Sequence, residues 1–114
     1  MMDDIRTRAR DIASTTGTTI EFRELARAAP AVATPEVQTA IERAATSLDL
    51  DTSRLPSGAG HDAQMMARLG PMGMIFVPSV GGVSHSPQEL THWEDCANGA
   101  NVLLHTVLEM DRTA

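Results

Sequence analysis

Two loops hold the side chains best suited to chemistry. The first runs Leu55-Pro56-Ser57-Gly58-Ala59-Gly60-His61-Asp62, the second Pro78-Ser79-Val80-Gly81-Gly82-Val83-Ser84-His85-Ser86-Pro87. Each combines small residues with a histidine. Small residues let a backbone approach a ligand closely and expose its N–H groups. Histidine binds metal ions or shuttles protons near neutral pH. The same pattern also suits plain turns with surface histidines. Two such loops flanking one apolar run, Met72 to Val77, move the balance toward a site.

Other candidates are weaker. His92 falls in the first turn of the last helix and reads as solvated, and His105 lies off that helix's apolar stripe. Glu94 is better used in helix capping than as a base. Cys96 reads as a small core residue. Met65, Met66, Met72 and Met74 read as core filler, and Arg6, Arg8 and Arg10 as a solvated helix face. Ser84 beside His85 is no triad, because such constellations are assembled in space.

Composition narrows the classes. The 114 residues carry 15 acidic and 9 basic side chains, a net charge of −6, and every basic residue is arginine. Clustered positive charge for a nucleic-acid backbone is therefore missing. Phe22, Phe76 and Trp93 are the whole aromatic complement, too thin for a base-stacking platform. A single cysteine, Cys96, excludes an intrachain disulfide and a cysteine-based zinc finger. No apolar run approaches the ~20 residues of a membrane span. With no leader-like pattern at Met1-Met2-Asp3-Asp4, a cytoplasmic location is expected.

The elements that must position the two loops follow from periodicity. Residues 1–16 read as a helix, with Ile5, Ala9, Ile12 and Ala13 at helical spacing and Gly17 as its stop. Residues 18–25 alternate as a half-solvated strand. Residues 26–33, with Pro30, form a connector. Thr34-Pro35 starts a second helix whose stripe is Val37, Ile41, Ala44, Ala45 and Leu48. Ala63 to Leu69 reads as a short helix. Met72 to Val77 reads as a strand buried on both faces. A Thr91-x-x-Glu94 capping box opens the last helix, with Trp93, Cys96, Ala97, Ala100, Leu103, Leu104, Val107 and Leu108 on one face. The order is helix, strand, helix, loop, short helix, strand, loop, helix, a mixed α/β class.

Four motifs in this order resemble one family. They are Leu55-Pro-Ser-Gly-Ala-Gly-His-Asp-Ala63, Gly73-Met-Ile-Phe-Val-Pro-Ser79, Gly81-Gly-Val-Ser-His-Ser-Pro-Gln-Glu89 and Trp93-Glu-Asp95. Together they resemble the C-terminal part of the hydantoinase/carbamoylase-type amidohydrolases of the M20 metallopeptidase superfamily. That group includes N-carbamoyl-L-amino acid hydrolases, allantoate amidohydrolases and bacterial β-ureidopropionases. The resemblance covers nearly the whole chain and is dense from residue 55 to 111.

The resemblance implies an α/β catalytic domain with a binuclear metal centre, zinc or another divalent ion such as manganese, and an inserted α+β lid that dimerises. Residues 1–27 then correspond to the end of the lid, 28–33 to a linker, and 34–114 to the C-terminal segment of the catalytic domain. By the same resemblance His85 is a metal ligand, His61 faces the carbamoyl end of a small ureido or carbamoyl substrate, and Gly60 contacts substrate through its backbone. Asp62 is expected to orient one of the histidines. The family's remaining metal ligands, general-base glutamate and lid arginine have no match in residues 1–54. One histidine does not hold a binuclear centre, since even a mononuclear catalytic zinc takes three protein ligands. The expectation is an amidohydrolase segment that works with the remainder of the enzyme or a complementary chain, as a homo-oligomer. The competing expectation is an inactive remnant serving as an interaction module.

Overall fold

Helices form where the apolar spacing places them. A computed structural model describes residues 2–25 and 28–113. It contains α1 (Met2–Thr16), α2 (Pro35–Thr46), α3 (Asp62–Met66), α4 (Trp93–Thr113) and a single 3₁₀ turn over Val80–Gly82. None of these helices is long and apolar enough to cross a membrane. Pro35 occupies the first turn of α2, where its missing N–H is harmless, after Thr34 in extended conformation. The Thr34 hydroxyl does not cap the helix. It accepts the Met72 N–H at 2.9 Å, and Thr34 N–H returns a bond to the Met72 carbonyl at 2.7 Å.

Two helices end on the same device. After α1, Gly17 takes φ +68° and Thr18 N–H reaches back to the Ala13 carbonyl. After α2, Asp49 takes φ 56°, Asp49 N–H bonds Thr46 and Leu50 N–H bonds Ala45. Both follow the left-handed C-terminal motif that satisfies orphan carbonyls. The second one also folds Leu50 back onto Ala45, which is almost fully buried.

The core is the contact of α2 with α4. Ala44 and Ala45 from α2 cluster with Val102 from α4, and Val37, Ala40 and Thr106 are also buried. Ile41, Leu48, Leu50 and Ile75 pack against the Ala44–Ala45–Val102 cluster. Alanine at the contact lets the helices approach closely. Buried Thr106 returns its hydroxyl to the Val102 carbonyl at 2.7 Å, so no polar group is left unpaired there. The stripe expected on α2 is therefore the one used.

The face expected on α4 is not. Val102 and Thr106 are buried, whereas Leu103, Leu104, Val107 and Leu108 are exposed and Trp93 is 88% exposed. α4 is thus apolar on two sides, and α2 covers the poorer one. Its start also differs. The His92 carbonyl accepts the Cys96 N–H, so His92 stands at the cap position instead of Thr91.

Neither expected strand is present among the described residues. Thr18 to Leu25 is exposed throughout. Met72 to Val77 lies across α2 and α4, seated by two glycines. A Cβ at Gly73 would overlap the Val37 methyl, and one at Gly99 would overlap that of Val77. Ile75 turns toward the core while Met74 and Phe76 turn outward. Burial on both faces is corrected to burial on one. A strand requires a ladder neighbour, and from Gly73 to Val77 no backbone hydrogen bond is made to another described residue. The mixed α/β expectation accordingly reduces, in the described residues, to helices joined by irregular chain.

α1 makes no contact with the other helices. The expected boundary at residue 27 lies outside the described residues. The chain extends over 63 × 35 × 19 Å with a radius of gyration of 20.2 Å, against about 13 Å for a compact domain of this length. Its accessible surface is 9498 Å², where a compact protein of this mass exposes roughly 6,100 Å².

Candidate functional site

The first loop builds a pocket wall around His61. Its backbone is extended (φ −135°, ψ 153°) where α3 begins, and its carbonyl accepts the Gln64 N–H at 2.9 Å. Two contacts hold the ring, and a third holds the helix behind it. The ring meets Phe76 edge-to-face, with centroids 5.7 Å apart and planes at 71°. Nε2 lies 2.8 Å from Ser57 Oγ. Gln64 anchors the start of α3 to the connector by donating to the Ala29 carbonyl at 2.5 Å. His61 is half-buried by these contacts, while Leu55 to Gly60 stay exposed.

His61, Ser57, Phe76 and Met74 line one cleft of about 720 Å³, closed on another side by Gln38 and Arg54. That volume lies in the range of small-molecule sites. Arg54 is not free to bind an anion. Nε and Nη2 grip both Glu42 oxygens at 2.6 and 2.8 Å. The hydrogen bonds from Arg54 hold the Glu42 carboxyl below its ordinary pKa, and Glu42 raises that of Arg54. The pair is a clamp joining α2 to the chain leading into the loop.

The second loop is built differently. Gly81 (φ 66°) and Gly82 (φ 67°) make the 3₁₀ turn, with Gly82 N–H bonded to the Ser79 carbonyl at 2.9 Å. Ser79 Oγ donates to the Val83 carbonyl at 2.5 Å. Val80 N–H bonds the Leu90 carbonyl at 2.8 Å and closes the loop's base. His85 itself is left-handed at φ 56°, an uncommon state for a side chain with a Cβ. Its N–H donates to Glu89 Oε2 at 2.9 Å, and its Nδ1 lies 2.7 Å from Ser84 Oγ. Nε2 is left as the open nitrogen of an exposed ring.

The two histidines are not brought together in one cavity, for His85 does not line the cleft of His61. Gly60 is exposed, with open space where a Cβ would stand. Asp62 opens α3, where a carboxylate suits the helix N-terminus. The side chain bonded to the His61 ring is Ser57, not Asp62. His92 and His105 are exposed and Cys96 is half-buried. No group of three His, Cys, Asp or Glu side chains able to hold a metal ion exists among the described residues. His85 fits one donor position of a divalent ion, but the residues present do not fit a metal centre by themselves.

The local sequence pattern does not single out Ser57, Phe76 or the Arg54–Glu42 clamp. Ser57 precedes His61 by four residues, a spacing that a turn brings into contact. Phe76 and Glu42 lie too far along the chain for any local pattern to mark them.

The model of peptidase family M20/M25/M40 matches residues 5–109. An N-carbamoyl-L-amino acid amidohydrolase of Geobacillus stearothermophilus is 44% identical over 106 residues, 93% of this chain and 26% of the relative. A ureidoglycolate hydrolase of Oryza sativa subsp. japonica is 45% identical over 83 residues, 73% of this chain and 17% of the relative. A crystal structure described as AtUAH in complex with glyoxylate superposes with a TM-score of 0.90 at 38% identity, covering 95% of this chain and 26% of that one. The chain spans at most about a quarter of the length of these relatives.

Proposed function

The chain belongs to peptidase family M20/M25/M40, and from that premise we propose that it is the substrate-facing segment of an amidohydrolase cleaving a linear C–N bond in a small ureido or carbamoyl compound. The relatives named for N-carbamoyl amino acids, ureidoglycolate and allantoate support that substrate class. The observation that carries the reading is His61, held by Ser57 and Phe76 on the wall of a cleft with ample room for such a molecule. In this role His61 stabilises the oxyanion that develops at the carbamoyl carbon or assists the leaving group. Gly60 offers its backbone to the substrate. Asp62 then acts by its charge beside His61. His85 contributes one imidazole, through Nε2, to a divalent ion, zinc or manganese, whose other ligands come from outside the described residues. In domain terms, residues 1–27 end a lid, 28–33 link, and 34–114 belong to the catalytic domain.

The reading includes a covering polypeptide. α4 leaves Trp93, Leu103, Leu104, Val107 and Leu108 uncovered. A helix apolar on both sides belongs in a protein interior. The surface exceeds that of a compact protein by roughly 3,400 Å², on the scale of an obligate interface. The rest of an M20-type polypeptide fits that need, in a cytoplasmic homo-oligomer. The same face supports the second reading, a non-catalytic interaction module.

The test is a mixture. The chain alone is expected to retain no stoichiometric zinc through gel filtration and to leave N-carbamoyl amino acids and allantoate intact. Mixed or fused with the upstream three-quarters of an M20 relative, it is expected to restore turnover that a chelator abolishes. Complex formation without turnover would favour the interaction module. Turnover by the chain alone would overturn the division of ligands.

A further inference from the structure

Three atoms near the cleft are linked by hydrogen bonds. Ala59 N–H donates to Ser57 Oγ at 3.3 Å, and Ser57 Oγ lies 2.8 Å from His61 Nε2. A serine hydroxyl has one proton and two lone pairs. Ala59 already uses one lone pair. If the hydroxyl gives its proton to Nε2, the three groups run N–H to O–H to N in one direction, and each bond polarises the next. If Nε2 instead carries the proton, the hydroxyl receives two bonds and its own proton is left to water.

The other ring nitrogen is left unengaged by the helix that follows it. His61 sits at the cap position of α3, where an acceptor on the side chain normally takes one of the first free helix N–H groups. No side-chain cap bond is made there. Nδ1 is therefore not engaged by the helix start in either tautomer. The edge-to-face contact with Phe76 fixes the ring plane, so the two nitrogens have fixed and different surroundings.

We propose that Ser57 is a positioning residue that holds neutral His61 as the Nδ1–H tautomer. Nε2 is then occupied as an acceptor. Nδ1–H is the polar group left for a ligand in the cleft. In this state the imidazole presents a hydrogen-bond donor, suited to a carbamoyl oxygen gaining negative charge, and does not present a base. This consequence deepens the proposed role of His61 and rests on it. The tautomer itself does not, because it is a property of the chain without substrate.

The experiment is long-range ¹H–¹⁵N correlation on the 114-residue chain at a pH where its histidines are neutral. His61→Gln assigns the His61 signals among the four histidines. The expected result is a pyrrole-type Nδ1 and a pyridine-type Nε2 for His61. Ser57→Ala is expected to shift the Nδ1–H to Nε2–H ratio toward Nε2–H by about three- to tenfold, the ratio one net hydrogen bond carries. Ser57→Thr, which keeps the hydroxyl, is expected to restore the parent ratio and serves as the control for loop disruption. A predominantly Nε2–H ring in the parent chain overturns the proposal. So does a ratio that Ser57→Ala leaves unchanged, or one that Ser57→Thr fails to restore. Hydrolysis is not read in any arm, so a failure here is distinct from a failure of the proposed function.

Discussion

The loops around His61 and His85 look alike in sequence and differ in construction. Both are rich in small residues, and in both a serine hydroxyl touches the ring. His61 is supported from a distance, by Phe76 fifteen positions on and by a helix that Gln64 ties to Ala29. Among the described residues, the hydrogen bonds at His85 come from neighbours within four residues, Ser84 and Glu89, on a left-handed backbone. The first is a finished wall of a cleft. The second is an exposed ring on a locally bonded, left-handed turn. A binding surface needs shape from several elements, whereas a metal ligand needs only an aimed lone pair and partners that other polypeptide can supply.

The largest expected effect separates the two roles. In an active assembly that contains this segment, His61→Ala should lower kcat by about 10²-fold or more while metal content holds. His85→Ala should empty part of the metal site and lose activity with it. Metal analysis beside steady-state kinetics reads both. An emptied metal site in His61→Ala, or full metal and rate in His85→Ala, would exchange or erase the roles.

Next comes the support beneath His61. Gly73→Ala should cost about 1–3 kcal/mol in urea unfolding, because the new methyl meets the stiff, buried Val37 side chain. The displaced run carries Phe76, so the His61 ring resonances should move while those of His85 stay. Equal movement of both would show that the second loop depends on the same support.

Smaller effects distinguish the glycines. Gly82→Ala should destabilise by about 1–2 kcal/mol, since φ is positive there. His85→Gly should stabilise by up to about 1 kcal/mol by removing a Cβ from the left-handed region. Gly60→Ala has open space and should stay within about 0.5 kcal/mol of the parent. If its backbone faces substrate as proposed, KM in the active assembly rises even so. Thermal melts order the three, and a reversed order would break the contrast between the loops.

The smallest effect concerns the clamp beside the cleft. The Glu42 carboxyl is held below its ordinary value of 4.5 by hydrogen bonds from Arg54. A pKa lowered on folding contributes stability that is present above the unfolded value and is lost as pH falls through the folded one. The window is therefore below about pH 4.5. A carboxyl ¹³C titration should show Glu42 titrating low and returning upward in Arg54→Gln or in high salt. An unchanged midpoint would remove the clamp from the description of the cleft wall.

Local patterns were legible in the residues themselves. The α2 stripe was readable because 3.6-residue spacing is a property of one helix. So was the stop at Gly17, because one residue supplies the positive φ. The motif loops marked the family, the small-residue turns and both histidines. The covered side of α4 differs from the expected one for a physical reason. Its richer stripe, Leu103, Leu104, Val107 and Leu108, is the expected choice for a core, but the α2 alanines pack on the slimmer side at Val102, and Gly99 on that helix receives Val77.

By itself the sequence determined which segments are helical, which loops carry histidine and which family the chain resembles, because each of these depends on residues near one another or on motif identity. Only the tertiary structure decided the rest. Phe76 and Ser57 hold His61, Glu42 neutralises Arg54, and one side of α4 stays uncovered. The run from Met72 to Val77 is apolar enough for a strand, yet a strand exists only where a second backbone completes its ladder. That condition depends on neighbours in space, and no residue within the run encodes it.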